Sequence, residues 1–99
     1  MSAVLSDKSA QDAVAHLGLL KKGDCAIVSG LAHVQSAEQL AMKTRLLELG
    51  FAPGERVRVV AESFPRRDPI AVKLGNATFA LRRHEAALIQ VIRSERDVA

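Results

Sequence analysis

Lys43-Thr44-Arg45-Leu46-Leu47-Glu48-Leu49-Gly50-Phe51-Ala52-Pro53-Gly54 is the stretch that decides how this chain folds. It reads as the end of a helix, a sharp stop and the start of a strand. Gly50 stands where a left-handed C-terminal cap belongs, because a residue without Cβ takes positive φ without steric cost. Phe51 follows at the position that folds back onto the last helical turn. Pro53-Gly54 then forbids continuation and sets a turn. Beyond it the apolar period changes from 3.6 to 2.

Reading backwards, Ser36-Ala37-Glu38-Gln39 has the form of a capping box, with the Ser36 hydroxyl and the Gln39 side chain serving reciprocal backbone donors. The helix is therefore expected over about 37–49. At roughly 100° per residue, Met42, Leu46 and Leu49 share one side, while Leu40 and Leu47 lie nearly opposite, about 20° apart. Reading forwards, Val57, Val59 and Ala61 alternate with Arg56, Arg58 and Glu62, which predicts a strand with the first set inward and the second mostly outward. Phe64 to Pro69 is a loop with two prolines. Ile70, Val72 and Leu74 alternate with Ala71 and Lys73. Gly75-Asn76 is a two-residue hairpin signal, with φ above zero tolerated by both residues. The return strand carries Phe79 and Leu81 inward, with Thr78, Ala80 and Arg82 outward. Arg83-His84-Glu85-Ala86 is a single helical turn, and 88–92 is a last strand.

Before the helix, Cys25 to Ser29 is a short strand ended by Gly30, preceded by a lead-in from Leu17 and a turn at Gly23-Asp24. Residues 1–16 form an N-terminal extension, in which Ser9 either caps a short helix reaching Leu17 or the segment is a flexible tail. Residues 94–99 are a charged tail, leaving 17–93 as the folded unit. About five short strands, one inserted helix and one helical turn predict a mainly β fold: a small, strongly bent, mostly antiparallel barrel.

The chain of 99 residues is long enough for one small core. No apolar run approaches the roughly 20 residues needed to span a bilayer, so no membrane insertion is expected. The N-terminus lacks the basic start and apolar block of a signal peptide, and Cys25 has no internal disulfide partner; both point to the cytosol. A net charge of +3 is mild. With no Trp, no Tyr and three Phe, there is little from which to build a base-stacking platform, so nucleic acid is not the expected partner.

Two blocks carry a resemblance to a known family: Arg45-Leu46 with Glu48-Leu49-Gly50-Phe51 and Pro53-Gly54, then Asp68-Pro69-Ile70-Ala71-Val72 followed by Ala80-Leu81-Arg82-Arg83, Glu85-Ala86 and Ile89. In this order and spacing the chain resembles the FeoA family, the small cytosolic component of bacterial ferrous-iron uptake, over roughly Leu19 to Ile92. The resemblance implies an SH3-like barrel. It also implies a partner, the cytosolic GTP-binding domain of the membrane iron transporter FeoB, and an accessory or regulatory role. The same barrel occurs as the C-terminal domain of DtxR-type metal-dependent repressors, which leaves a divalent-metal-responsive regulatory module as the alternative. The extension before Leu19 departs from the family pattern.

No catalytic constellation stands out, and no phosphate-cradling glycine loop is present, so an enzyme is not expected. His16, His33, His84, Cys25 and nearby carboxylates are the metal-ligand candidates. They form neither a Cys-x-x-Cys nor a His-x-x-x-His pair, so no cofactor and no specific metal site is expected, only weak or adventitious divalent binding. For partner binding the candidates are Leu40, Lys43, Thr44, Arg45, Leu46 and Leu47 on the helix, and Arg66, Arg67, Arg82 and Arg83 in a basic patch with His84. Leu40 and Leu47 are either covered by the N-terminal segment through Val14 and Leu17, or form an apolar patch for self-association or for the transporter, with Lys43 and Arg45 as its rim. Leu46 is expected to pack inward. The arginines are either a solvated rim or a docking site for an acidic surface.

Overall fold

The structure, a computed structural model, describes residues 15–93. In chain order it contains β1 (Ala15–His16), a 3-10 turn (Leu17–Leu19), β2 (Cys25–Leu31), α1 (Ala37–Leu49), β3 (Arg56–Glu62), β4 (Ile70–Leu74), β5 (Ala77–Leu81), α2 (Arg83–Ala86) and β6 (Ile89–Arg93). All strand pairs are antiparallel, in the order β1-β6-β2-β3-β4-β5. In β3 and β4 the inward residues follow the alternation read from the sequence, with Val57, Val59, Ile70 and Val72 buried; Ala26 and Val28 in β2 and Ile89 and Val91 in β6 are buried as well. Phe51 is fully buried, and its ring centroid lies 5.6 Å from that of Phe79, tilted at 59°.

The helix begins and ends as its local chemistry dictates. Ser36 Oγ accepts from Gln39 N–H at 3.1 Å. The reciprocal bond differs from the expected one: Gln39 Oε1 takes Gln35 N–H, not Ser36 N–H, at a weak 3.4 Å. At the other end Gly50 adopts φ 114°. Gly50 N–H donates to Leu47 O at 3.0 Å and Phe51 N–H to Leu46 O at 3.1 Å, the paired bonds of a Schellman cap. Gly54 (φ 94°) then closes a turn in which Glu55 N–H reaches Ala52 O at 3.1 Å. That turn is fastened to β2: Gly54 N–H donates to Val28 O and Val28 N–H to Glu55 O, at 2.7 and 2.8 Å. The helix is thus an insertion whose exit is pinned to the sheet.

Four details differ from the sequence reading. First, Ala15-His16 is extended, not the end of a helix. It pairs with Val91 and Gln90, which supplies backbone partners while Ala15 and Leu17 are buried; Ser9 to Val14 lie outside the described residues. This short strand brings the count to six. Second, β2 does not stop at Gly30. It passes a bulge at Ser29 and continues to Leu31, which pairs with Ile89. Third, Gly75 alone takes positive φ (61°) in the β4–β5 hairpin, the pattern of a II′ turn. Fourth, a bulge at Val60 shifts the β3–β4 register, so that Val59 faces Val72 but Ala61 faces Ala71 and Glu62 faces Ile70. An extra residue in a period-2 strand reverses the facing beyond it. Ala61 is therefore exposed, and Glu62 turns inward to only 15% side-chain exposure.

The ladders leave β1 and β5 at the two ends of the sheet, and no ladder joins them among the described residues. Side-chain chemistry spans that gap. The 3-10 turn that continues β1 lies against α2, which continues β5, and Gly18 makes the contact possible. A Cβ there would sit 2.8 Å from Arg83 O and 3.2 Å from Ala87 N, too close for any other residue without a backbone shift.

Candidate protein-docking surface

The helix α1 presents two faces of opposite character. Leu46 is 2% exposed and joins the core, with Met42 and Leu49 packed partly against it. Leu40 and Leu47 remain 55% and 44% exposed, so the described residues, Leu17 included, do not cover them. Leu17 instead lies at 0% exposure in the core, and Val14 falls outside the described residues. Thr44 and Arg45 are exposed and Lys43 is half-buried. The apolar pair therefore carries a polar border on a helix whose position is fixed by the Gly50 cap and by Leu46. A rigidly mounted, partly apolar surface of this kind loses little conformational freedom on association.

The five arginine and histidine positions expected to make a basic patch divide in two. Arg66, Arg67, Arg82 and His84 are exposed. Arg83 is turned into the fold. Its Nη1 donates to Gly18 O and Leu20 O at 2.9 and 2.7 Å, its Nε to Arg67 O at 2.8 Å, and its Nη2 to Glu62 Oε2 at 2.7 Å. One planar guanidinium thus ties the 3-10 turn, the end of β3 and the β3–β4 loop to α2. The fork geometry makes this possible, since a lysine ammonium cannot direct donors to four oxygens in one plane. Arg83 N–H donates to Asp68 Oδ1 at 2.9 Å, and Arg82 N–H to Glu85 Oε1 at 2.8 Å, so the first turn of α2 is capped from both sides. Sequence reasoning placed Arg83 beside Arg82 on the surface. The missed signal was Glu62, whose inward turn depends on the bulge at Val60.

Among the described residues, no three His, Cys, Asp or Glu side chains gather as metal ligands would. His33 and His84 are exposed. His16 Nδ1 is buried without a hydrogen-bond partner among the described residues, and a Cβ on Gly18 would lie 3.1 Å from it. Cys25 is half-buried, with its sulfur 3.9 Å from Gly23 O. No helix among the described residues is long and apolar enough to cross a membrane.

These features define a class: a small antiparallel barrel of SH3-like form, with an inserted helix that is anchored on one side and left exposed by the described residues on the other. The chain belongs to the FeoA family, whose domain matches residues 15–93. Among solved structures, Stenotrophomonas maltophilia FeoA, crystallised with zinc and described as a procaryotic SH3-domain protein, is 33% identical with a TM-score of 0.71. That match covers 83% of this chain and 98% of the other. FeoA of Chlorobium tepidum is 32% identical with a TM-score of 0.67, over 84% of this chain and 73% of the other. A manganese-dependent transcriptional repressor shares the fold at 22% identity and a TM-score of 0.67, over 82% of this chain and 42% of the other. No curated protein matches the chain.

Proposed function

We propose that this chain is a non-enzymatic cytosolic adaptor of bacterial ferrous-iron uptake, acting by contact with the cytosolic G-domain of the transporter FeoB. The observation that carries the reading is the open Leu40–Leu47 face of α1, held rigid by the core residue Leu46 in a chain of the FeoA family. The contact is centred on these two leucines, rimmed by Lys43, Thr44 and Arg45. Arg66, Arg67 and Arg82 steer an acidic partner surface by long-range attraction. Arg83 contributes indirectly, by holding the loops that carry those arginines.

The test is a pull-down of the full chain with the isolated FeoB G-domain, using Leu47→Asp as the comparison. Leu47 is 44% exposed, so the variant should fold while losing at least tenfold in affinity, as expected for a charge placed in a desolvated contact. A folded Leu47→Asp protein that binds as the parent does, or a parent that captures no G-domain, would overturn the reading.

A second reading is a divalent-metal-responsive module. It is favoured by the zinc-bound neighbour and by the barrel shared with a manganese-dependent repressor. Equilibrium titration with zinc and manganese separates the two, because an adaptor needs no stoichiometric ion and a metal-responsive module does.

A further inference from the structure

The β3–β4 loop holds a feature that neither the core nor α1 uses. Phe64 is 95% exposed, the most exposed of the large apolar side chains among the described residues. It does not stand on a loose segment. Ser63 N–H donates to Pro69 O at 3.0 Å and Arg67 N–H to Ser63 O at 2.6 Å, and Arg67 O is gripped by Arg83. Arg66, Arg67 and Arg82 stand exposed around this loop and α2. The nearby carboxylates each accept from a donor of the fold: Glu62 from the Arg83 guanidinium, Asp68 from Arg83 N–H and Glu85 from Arg82 N–H. Among the described residues, no ion pair holds Arg66, Arg67 or Arg82. The result is a fixed aromatic tip beside three exposed guanidinium groups that no carboxylate pairs directly, with a small net positive charge around it.

We infer that this loop is a membrane-surface contact: Phe64 inserts at the headgroup–acyl boundary of an anionic bilayer while Arg66, Arg67 and Arg82 meet lipid phosphates. The ring stands apart from the apolar face of α1 and is flanked by arginines, which fits a deformable anionic surface that closes around it. Burial of apolar area and attraction to anionic headgroups add in such binding, and each arginine near the surface contributes about fivefold. The contact is peripheral and weak, and it differs from spanning the bilayer. It orients the barrel at the membrane independently of α1.

The chain lacks tryptophan, so Phe64→Trp gives a single reporter at the tip. With vesicles of equal phosphatidylglycerol and phosphatidylcholine at low salt, its emission should shift to the blue and resist aqueous quenching. Pure phosphatidylcholine vesicles should bind at least tenfold more weakly, as should the anionic vesicles in 0.5 M salt, where the Debye length is only about 4 Å. In co-flotation, Phe64→Ser should lose about tenfold in partitioning, and Arg66→Ser with Arg67→Asn about twentyfold. Asn is chosen at position 67 because Arg67 has φ 62°, a conformation asparagine tolerates. Circular dichroism checks that each variant is folded. An unshifted Trp emission on anionic vesicles overturns the inference, as does equal partitioning of Phe64→Ser and the parent. Loss of G-domain capture by Phe64→Ser without any vesicle binding by the parent would also overturn it, in favour of a protein socket for the ring. A Phe64→Ser protein that loses vesicle partitioning yet captures the G-domain as the parent does supports the inference and distinguishes it from failure of the α1 contact.

Discussion

Replacing Arg83 by methionine tests the most consequential arrangement in the fold. The methionine keeps most of the side-chain volume and removes the guanidinium. Three backbone carbonyls, at Gly18, Leu20 and Arg67, lose their charged donors, and Glu62 loses its ionic partner. A hydrogen bond to a charged group contributes about 1.5–3 kcal/mol when solvent is excluded. Arg83 is 24% exposed and Glu62 15%, so water can replace part of each bond and the low end applies. The Glu62 pair adds about 1 kcal/mol after the same discount. These contributions share one group and do not add fully, so the expected loss is about 3–4 kcal/mol. For a domain of this size that lowers Tm by roughly 12–32 °C. Urea unfolding followed by circular dichroism measures it directly, and an unchanged slope would show that the unfolded state is unaffected.

Two companion variants separate the possible causes. Glu62→Gln keeps an acceptor and should cost about 1 kcal/mol. Arg83→Lys retains the charge but not the fork, and should recover no more than about a third of the loss. If Arg83→Met lies within about 1 kcal/mol of the parent, the guanidinium is not what joins the two ends of the sheet. If Glu62→Gln is as damaging as Arg83→Met, the ion pair and not the carbonyl bonds carries the effect.

Three further substitutions address neighbouring claims. Gly50→Ala should destabilise by more than about 1 kcal/mol in thermal unfolding, because it forces φ 114° on a residue with a Cβ that would meet Leu74 Cδ2 at 3.2 Å. Gly18→Ala should cost at least about 2 kcal/mol and disturb the amide resonances of α2, since the clash at 2.8 Å is with backbone and not with a movable side-chain end. Leu46→Ala should lose about 2–5 kcal/mol, whereas Leu47→Asp should lie within about 0.5 kcal/mol of the parent, a contrast readable in one denaturation series.

The helix was legible because its boundaries rest on single residues with narrow conformational preferences. Ser36 and Gly50 each perform a backbone task that few residue types perform well, and the wheel angle between Leu46 and Leu47 then follows from geometry. The strands were legible where alternation is uninterrupted, as at Ile70, Val72 and Leu74. They were not where a bulge intervenes. Val59-Val60-Ala61 contains no glycine or charge to mark the inserted residue, so the sequence reads as unbroken alternation while the backbone turns Glu62 to the inside. Ala15-His16 gave no signal either, because two residues are too few for a period and the pairing partner, Val91, lies at the far end of the chain.

The candidate site shows the same division. The opposition of Leu40 and Leu47 to Leu46 depends only on helix geometry, and the sequence sufficed for that, while their exposure among the described residues depends on where Leu17 packs. The two adjacent arginines Arg82 and Arg83 could not be told apart, because their difference is tertiary: Arg82 precedes the first turn of α2 and points to solvent, while Arg83 begins it and meets carbonyls contributed by residues more than sixty positions away. A basic pair in sequence is thus two different devices in space. One arginine can belong to a surface that other molecules feel, and the other stitches an incompletely laddered barrel shut. For the same reason, a charge reversal made at both positions together would confuse lost binding with lost stability. Only Arg82, Arg66 and Arg67 can be altered as probes of the surface itself.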